Sequence, residues 1–332
     1  MPYTFTNLRK KKVFRLLRSL TFIACLMLCL IGLSSWGFYA HKKINQLAIF
    51  TLPTPMLTFY KKQAEYITEH AVDPDKRRYV NEQEAARHFI DIDLYGDDPF
   101  ASIPKKWTDA ANKFTEDTLY SHGIVPWQIM RSYRLLVKAF EESNPARILR
   151  YSSDLGHYIA DAHVPLHTTH NYNGQFTNQI GIHAFWESRL PELFAQDYHL
   201  FVGKAAYIEN PQEFAWSIVQ ESHQLVDSVL TLEADLNKVT PGRKKYAYER
   251  KANTIEKVYS RNYSKQYHKL LRGMVERQMK KSILTIGSFW YSAWIDAGQP
   301  DLNKLQQERQ FTPSPFPDSL ENKKAMGREE WK

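Results

Sequence analysis

One short stretch of the chain, HYIADAHVPLH at residues 157 to 167, carries three histidines and an aspartate. His157 and Asp161 are four residues apart, so on a helix they share one face and their side chains can bind one ion. Pro165 predicts that this helix ends near Val164. The chain then turns, and His167 approaches from a different direction. The stretch therefore offers candidate ligands for a metal ion.

A second pair repeats this spacing, because His183 and Glu187 in IHAFWESRL are also four residues apart. The 15 residues between His167 and His183 include NYNG, which predicts a loop joining the two helical pairs. A single pair is more typical of a surface ion pair, but two pairs with His167 between them favour metal binding. Nitrogen and carboxylate ligands without cysteine favour zinc. We assign His163, on another helix face, to packing or to hydrogen bonding behind the ligands.

The elements that position these residues must be largely helical. Glycine is scarce, at 13 of 332 residues, and apolar residues recur at helical spacing, as in Ile129, Tyr133, Leu136 and Phe140. No run of alternating strand residues bounded by turn pairs is evident, and no repeat. We predict a single all-α, multi-helix domain over residues 36–298. The polar, proline-punctuated tail over residues 299–332 is predicted to be poorly ordered.

The N-terminal segment over residues 1–35 has six basic residues, no acid and the apolar run LTFIACLMLCLIGL, ending at Ser34 and Ser35. This pattern predicts a signal peptide and an exported protein, periplasmic or secreted. The alternative is an uncleaved anchor that holds the protein at a membrane. Cleavage would remove both cysteines and would leave 38 basic and 36 acidic residues, a net charge of +2 instead of +8. Such a charge neither supports nor excludes binding of single-stranded nucleic acid.

HYIADAHVPLH followed by HAFWE resembles the superfamily of zinc-dependent phospholipases C and single-strand-specific zinc nucleases, which share an all-α fold and bind three zinc ions. The resemblance implies further ligands from the front of the mature chain, and WGFYAH supplies Trp36 and His41. An aspartate followed some fifteen residues later by a histidine is also expected. Asp73 in HAVDPDKRRY and His88 in RHFIDID fit, with Asp75 as the competing choice.

By this resemblance, nine residues are expected to hold three zinc ions. One zinc would be bound by Asp73, His88, His157 and Asp161; the second by Trp36, His41 and the bridging Asp161; the third by His167, His183 and Glu187. A carboxylate suits the bridging role because it has two oxygens, whereas an imidazole offers one nitrogen. The expected reaction is hydrolysis of phosphate esters, in which a water held between two zinc ions by Asp161 attacks phosphorus.

The resemblance gives divided evidence on the substrate. The nucleases place a basic phosphate contact at the position of Lys76, a base-stacking ring at Phe89 and a base-edge acceptor at Asp91; Asn178 is a further candidate phosphate contact. Glu187, in contrast, matches phospholipases, where nucleases usually have aspartate. The aromatic residues that surround choline in phospholipases are not evident, because Pro74 and Ala85 stand near the front ligands.

We therefore predict a zinc-dependent phosphodiesterase, with a nuclease-type substrate slightly favoured. The first alternative is a phospholipase C that acts on phospholipid head groups. A second alternative is a catalytically silent zinc-binding surface module, tethered at the membrane if the N-terminal segment is not removed. No protein partner is evident from the sequence.

Overall fold

The computed structural model describes residues 38–251 and 254–305. The predicted signal peptide, Trp36 and the tail after residue 305 lie outside these residues. The first helices are α1 (Phe38–Ala48), α2 (Thr54–Lys62), α3 (Ala64–His70), α4 (Asp73–Arg77), α5 (Pro99–Ser102), α6 (Trp107–Phe114), α7 (Glu116–His122), α8 (Val125–Glu141) and α9 (Pro145–Ala162). The remaining helices are α10 (Ile182–Ala184), α11 (Leu190–Phe194), α12 (Pro211–His223), α13 (Val226–Val239), α14 (Gly242–Lys245), α15 (Arg261–Leu270), α16 (Met274–Asp296) and α17 (Leu302–Leu305).

The prediction of a mainly helical fold is confirmed. Short 3-10 turns cover 49–51, 85–87, 92–94, 165–168 and 195–197, and residues 185–189 form a π-helical turn between α10 and α11. None of the helices in the described ranges is both long and apolar enough to cross a membrane.

The centre of the fold is α9, which packs against α8, α16, α1 and α3. From Ser152 to Ala162 every residue of α9 is buried. Trp290 of α16 is fully buried, stacks on Tyr60 at 5.0 Å between ring centroids and donates a hydrogen bond to the Ser152 carbonyl oxygen. This packing fixes the rotation of α9 and therefore the direction in which His157 and Asp161 point.

Gly156 permits a close approach between α1 and α9. A Cβ atom at Gly156 would lie 1.9 Å from Oδ1 of the fully buried Asn45, whose side chain also donates a hydrogen bond to the His41 carbonyl oxygen. Only glycine leaves room for this contact. The close approach places the His41 ring of α1 against the His157 ring of α9, with 4.2 Å between their centroids.

Two features differ from the sequence prediction. An antiparallel hairpin of β1 (Tyr246–Lys251) and β2 (Thr254–Tyr259) interrupts the helices, although no strand was expected. Its tyrosines, isoleucine and valine suit strands, and contacts of its base with the helical body stabilise it. The packed chain also extends beyond residue 298, because Leu302 and Leu305 of α17 are buried.

Candidate metal centre

The first group of possible metal ligands combines α9 with α1. His157 and Asp161 lie one turn apart on α9, with His157 Nε2 3.2 Å from Asp161 Oδ2. The other oxygen, Oδ1, lies 3.2 Å from Nε2 of His41. All three side chains are almost fully buried. The helical spacing read from the sequence therefore does bring these residues together, with one ligand from a distant helix.

The second group adds His88 and an aspartate from α4. His88 Nδ1 lies 3.0 Å from His157 Nε2 and 2.9 Å from Asp161 Oδ2. The aspartate is Asp75, whose Oδ1 lies 3.7 Å from both imidazole nitrogens. The structure thus brings the competing choice, Asp75, into the cluster instead of Asp73.

Asp73 has other partners. Its carboxylate accepts hydrogen bonds from His70 and Lys76, both within one turn of it in sequence. Burial acts to raise the pKa of Asp73, but the bond from His70 and the charge of Lys76 outweigh burial and lower it. Residues two apart on a helix point about 200° apart around its axis. Asp75 therefore faces the histidines, whereas Asp73 faces α3.

The third group comprises His167, His183 and Glu187. His183 Nε2 lies 2.8 Å from Glu187 Oε2, and His167 Nε2 lies 3.2 Å from both of these atoms. His183 belongs to α10, whereas Glu187 lies in the π-helical turn at Phe185–Arg189. Their spacing of four residues is the predicted one, but the local helix type is not.

The three groups form one continuous cluster. Glu187 Oε2 faces His167 and His183, while its Oε1 lies 3.2 Å from Nε2 of His41. Asp161 in the same way has one oxygen toward His41 and the other toward His88 and His157. Both carboxylates can therefore serve two ions.

Backbone carbonyl groups orient two of the histidines. Nδ1 of His157 lies 2.8 Å from the Ala71 oxygen, and Nδ1 of His167 lies 2.7 Å from the His88 oxygen. A carbonyl oxygen can only accept, so each Nδ1 donates its hydrogen and each Nε2 in the neutral ring has a lone pair toward the cluster. Metal-bound histidines are commonly held in this way.

The donor atoms lie close enough together to bind metal ions. Tetrahedral zinc with bonds of about 2.0–2.1 Å to nitrogen and oxygen requires ligand atoms about 3.3–3.4 Å apart. The pairs described above lie 2.8–3.7 Å apart before any ion is included. In addition, Asp75 Oδ2 is buried and accepts no hydrogen bond from any residue in the described ranges. A cation at this position would compensate for that unpaired oxygen.

The electrostatics of the cluster also favour cations. Burial acts to raise the pKa of Asp161, yet its interactions with His157, His167 and His41 lower it well below 3.8. Burial has the same effect on Glu187, and hydrogen bonding with His167 and His183 lowers its pKa well below 4.5. Burial acts to lower the pKa of His41, but bonds with Asp161 and Glu187 outweigh it and raise the pKa well above 6.5. Without metal, both carboxylates stay ionised and His41 stays protonated at neutral pH.

The predicted substrate contacts lie in different environments. The Phe89 side chain is buried at 6% exposure and packs against Gly123, and the buried Asp91 lies 3.3 Å from Nδ1 of His170. Lys76 is partly exposed but bonded to Asp73. Asn178 is exposed in the loop before His183, with a positive φ of 57°. Of the four residues, Asn178 is the most accessible.

Behind His88 lies a group of charges that sequence reasoning missed. Glu84 is fully buried, and its Oε1 lies 3.9 Å from His88 Nε2. Glu84 also accepts hydrogen bonds from Arg77, Arg87 and Tyr158. Glu84 and His88 have the same four-residue spacing as the two ligand pairs, and this signal could have revealed the contact. Arg77 pairs with Asp154 as well and stabilises this group.

His163 is not part of the cluster. Its Nδ1 donates to the Ile159 carbonyl oxygen, and burial lowers its pKa to about 4. The assignment of His163 to packing therefore agrees with the structure.

The chain matches no protein-family model and no curated protein.

Proposed function

We propose that the protein is a zinc-dependent hydrolase of phosphodiesters. The observation that carries this proposal is the single buried cluster in which Asp161 and Glu187 each face two groups of ligands. Shared carboxylates place ions close together, as phosphoester hydrolases with several metal ions require.

The chain's own residues would contribute binding and charge. In the proposed arrangement, Asp75, His88, His157 and Asp161 hold one zinc, and His167, His183 and Glu187 hold another. His41 would hold a third ion together with Asp161, and the resemblance adds Trp36 to that site. Bound zinc would supply Lewis acidity and a water of lowered pKa. The three carboxylates neutralise only half the charge of three zinc ions, so the site would attract an anionic phosphodiester.

The substrate class within the phosphodiesters depends on Phe89. Because its side chain is buried and packed against Gly123, it would have to move before it could stack on a base. The slight preference for nucleic acid therefore loses its main support. Phospholipid head groups and nucleic acid are therefore rival substrates.

One observation favours a second candidate, a zinc-binding module without turnover. The histidines, Asp161 and Glu187 in the cluster are at most 3% exposed. A catalytic site must admit its substrate to an open ligand position, whereas a structural zinc site is closed. The two candidates differ in whether zinc confers hydrolysis.

The deciding experiment uses protein that begins at Trp36, freed of metal and then reloaded with zinc. Metal content is measured by mass spectrometry, and hydrolysis is measured with bis(p-nitrophenyl) phosphate, single-stranded DNA and phosphatidylcholine. We expect zinc-dependent hydrolysis that a chelator abolishes and that Asp161→Asn lowers by at least a hundredfold. Full activity of Asp161→Asn would contradict the bridging role. Bound zinc without hydrolysis of any of the three substrates would favour the silent module.

A further inference from the structure

The hairpin of β1 and β2 is firmly attached at its base to the segment that carries Glu187. Tyr259 stacks on Phe185 with 3.8 Å between ring centroids. Arg189 donates to Glu249 at 2.6 Å and to the Tyr259 carbonyl oxygen. Phe185 and Arg189 flank Glu187 in the π-helical turn, so the hairpin is held next to the metal centre.

A buried ion pair strengthens this attachment. Lys245, directly before β1, lies 2.9 Å from Oε1 of the fully buried Glu233 on α13. The Lys245 ammonium also lies 5.5–5.7 Å from the ring centroids of Tyr246, Tyr259 and Tyr263. Contacts of this kind between a cation and aromatic rings stabilise buried lysines. The base of the hairpin is therefore held by buried contacts with the helical body.

The outer part of the hairpin exposes apolar side chains that the fold does not use. Tyr248 is 75% exposed and Ile255 is 69% exposed. Because Tyr248 pairs with Lys257 and Arg250 pairs with Ile255, all four residues lie on one face of the hairpin. Tyr248 and Ile255 are diagonal neighbours on that face, which we call the hairpin face.

The charges on the two faces differ. Both acids of the strands, Glu249 and Glu256, pair with each other in register and lie on the opposite face. The hairpin face contains Arg250 and Lys257, and the preceding Arg243 and Lys244 are exposed as well. Arg243, Lys244 and Arg250 form no ion pair with any residue in the described ranges. The exposed apolar side chains thus share their face with the basic Arg250 and Lys257, whereas both acids of the strands lie on the opposite face.

We propose that the hairpin face docks the protein onto the surface of an anionic phospholipid bilayer. Tyrosine and aliphatic side chains flanked by arginine and lysine suit the membrane interface, where apolar parts enter the headgroup region and cations meet lipid phosphates. The exposed Ile255 favours a bilayer over nucleic acid, because an aliphatic side chain offers no ring for stacking on bases. This inference goes beyond the proposed hydrolysis and does not depend on turnover.

The test is co-sedimentation of the zinc-loaded protein with vesicles of phosphatidylcholine, alone or mixed with phosphatidylglycerol. Bound protein and lipid phosphorus are measured in the same tubes, so that docking and hydrolysis are scored separately. We expect binding to the mixed vesicles that weakens at high salt. The double variant Tyr248→Ser and Ile255→Ser should bind more than tenfold more weakly. Arg250→Gln should bind about fivefold more weakly, since each basic residue near an anionic surface contributes about 1 kcal/mol.

Matched controls replace exposed residues elsewhere, namely Phe201→Ser, at a site 97% exposed, and Arg134→Gln on α8. Both should bind vesicles like the unmodified protein, and circular dichroism checks that every variant folds. The proposal would be overturned if the protein did not bind the mixed vesicles, or if the double variant bound them as well as the unmodified protein. It would also be overturned if the double variant kept vesicle binding but lost binding to single-stranded DNA or lost self-association.

Discussion

Gly156 of α9 and Asn45 of α1 approach so closely that any side chain at position 156 would overlap the Asn45 amide. We therefore predict that Gly156→Ala destabilises the metal-free protein by about 1–3 kcal/mol, the usual cost of overpacking. It should also weaken zinc binding, because separating the helices moves His41 away from His157. Denaturant unfolding and zinc titration measure the two effects. Gly203→Ala is the matched control, since a Cβ atom added there would meet no other atom within 4 Å, and equal stability of the two variants would contradict the prediction.

Asp75 and Asp73 provide a matched pair of substitutions. Asp75→Asn should lower the number of zinc ions bound, because Asp75 faces His88 and His157. Asp73→Asn should retain the full number and lose only the contacts with His70 and Lys76. Metal analysis after dialysis against a weak chelator measures both. The reverse result would restore Asp73 as the ligand.

Glu84 is predicted to act as a positioning residue for His88. Glu84→Gln should weaken zinc binding by about 10–100-fold, the usual effect of altering a group behind a metal ligand. It should also destabilise the protein, because Arg77 and Arg87 would lose a buried partner. A purely structural role would lower stability and leave the affinity of the folded protein for zinc unchanged. Competition with a chelator at low temperature separates these results, with Glu69→Gln on the surface as the control.

Zinc binding should release a proton from His41. The raised pKa of His41 keeps it protonated in the metal-free protein above pH 6.5, whereas zinc requires neutral imidazole. Apparent zinc affinity should therefore rise with pH between 6.5 and the raised pKa. Calorimetric titration in buffers of different ionisation enthalpy counts the protons. His41→Ala should release about one proton fewer, and an unchanged number would contradict the assigned protonation state.

Contacts between two ligands on a single helix can be predicted from the sequence alone. His157 and Asp161 share a turn of α9, so their spacing alone predicts that they meet. The sequence alone could not decide whether Asp73 or Asp75 is the ligand. Both residues lie in the short α4, and the directions of their side chains depend on how that helix packs against the rest of the fold. His41 was predicted only from the family resemblance. The close packing of α1 against α9 at Gly156 explains why its side chain lies beside His157.

For a related reason, the sequence predicted neither the hairpin nor the burial of the Phe89 side chain. The strands contain many charged residues, and their pairing is stabilised by Lys245 and Tyr259 contacting distant helices. Phe89 lies in a segment whose burial depends on Gly123 of another loop. Local patterns do not contain such tertiary contacts.

The π-helical turn at Phe185–Arg189 makes the third group of ligands sensitive to chain length. A π-helical turn contains about one residue more than an α-helical turn, so removing Ala184 could relax the segment into a regular helix. That deletion would shorten the spacing from His183 to Glu187 from four residues to three and rotate Glu187 by about 100° around the helix axis relative to His183. During evolution, a one-residue deletion here would thus act as the loss of a ligand, although every ligand residue would still be present in the sequence.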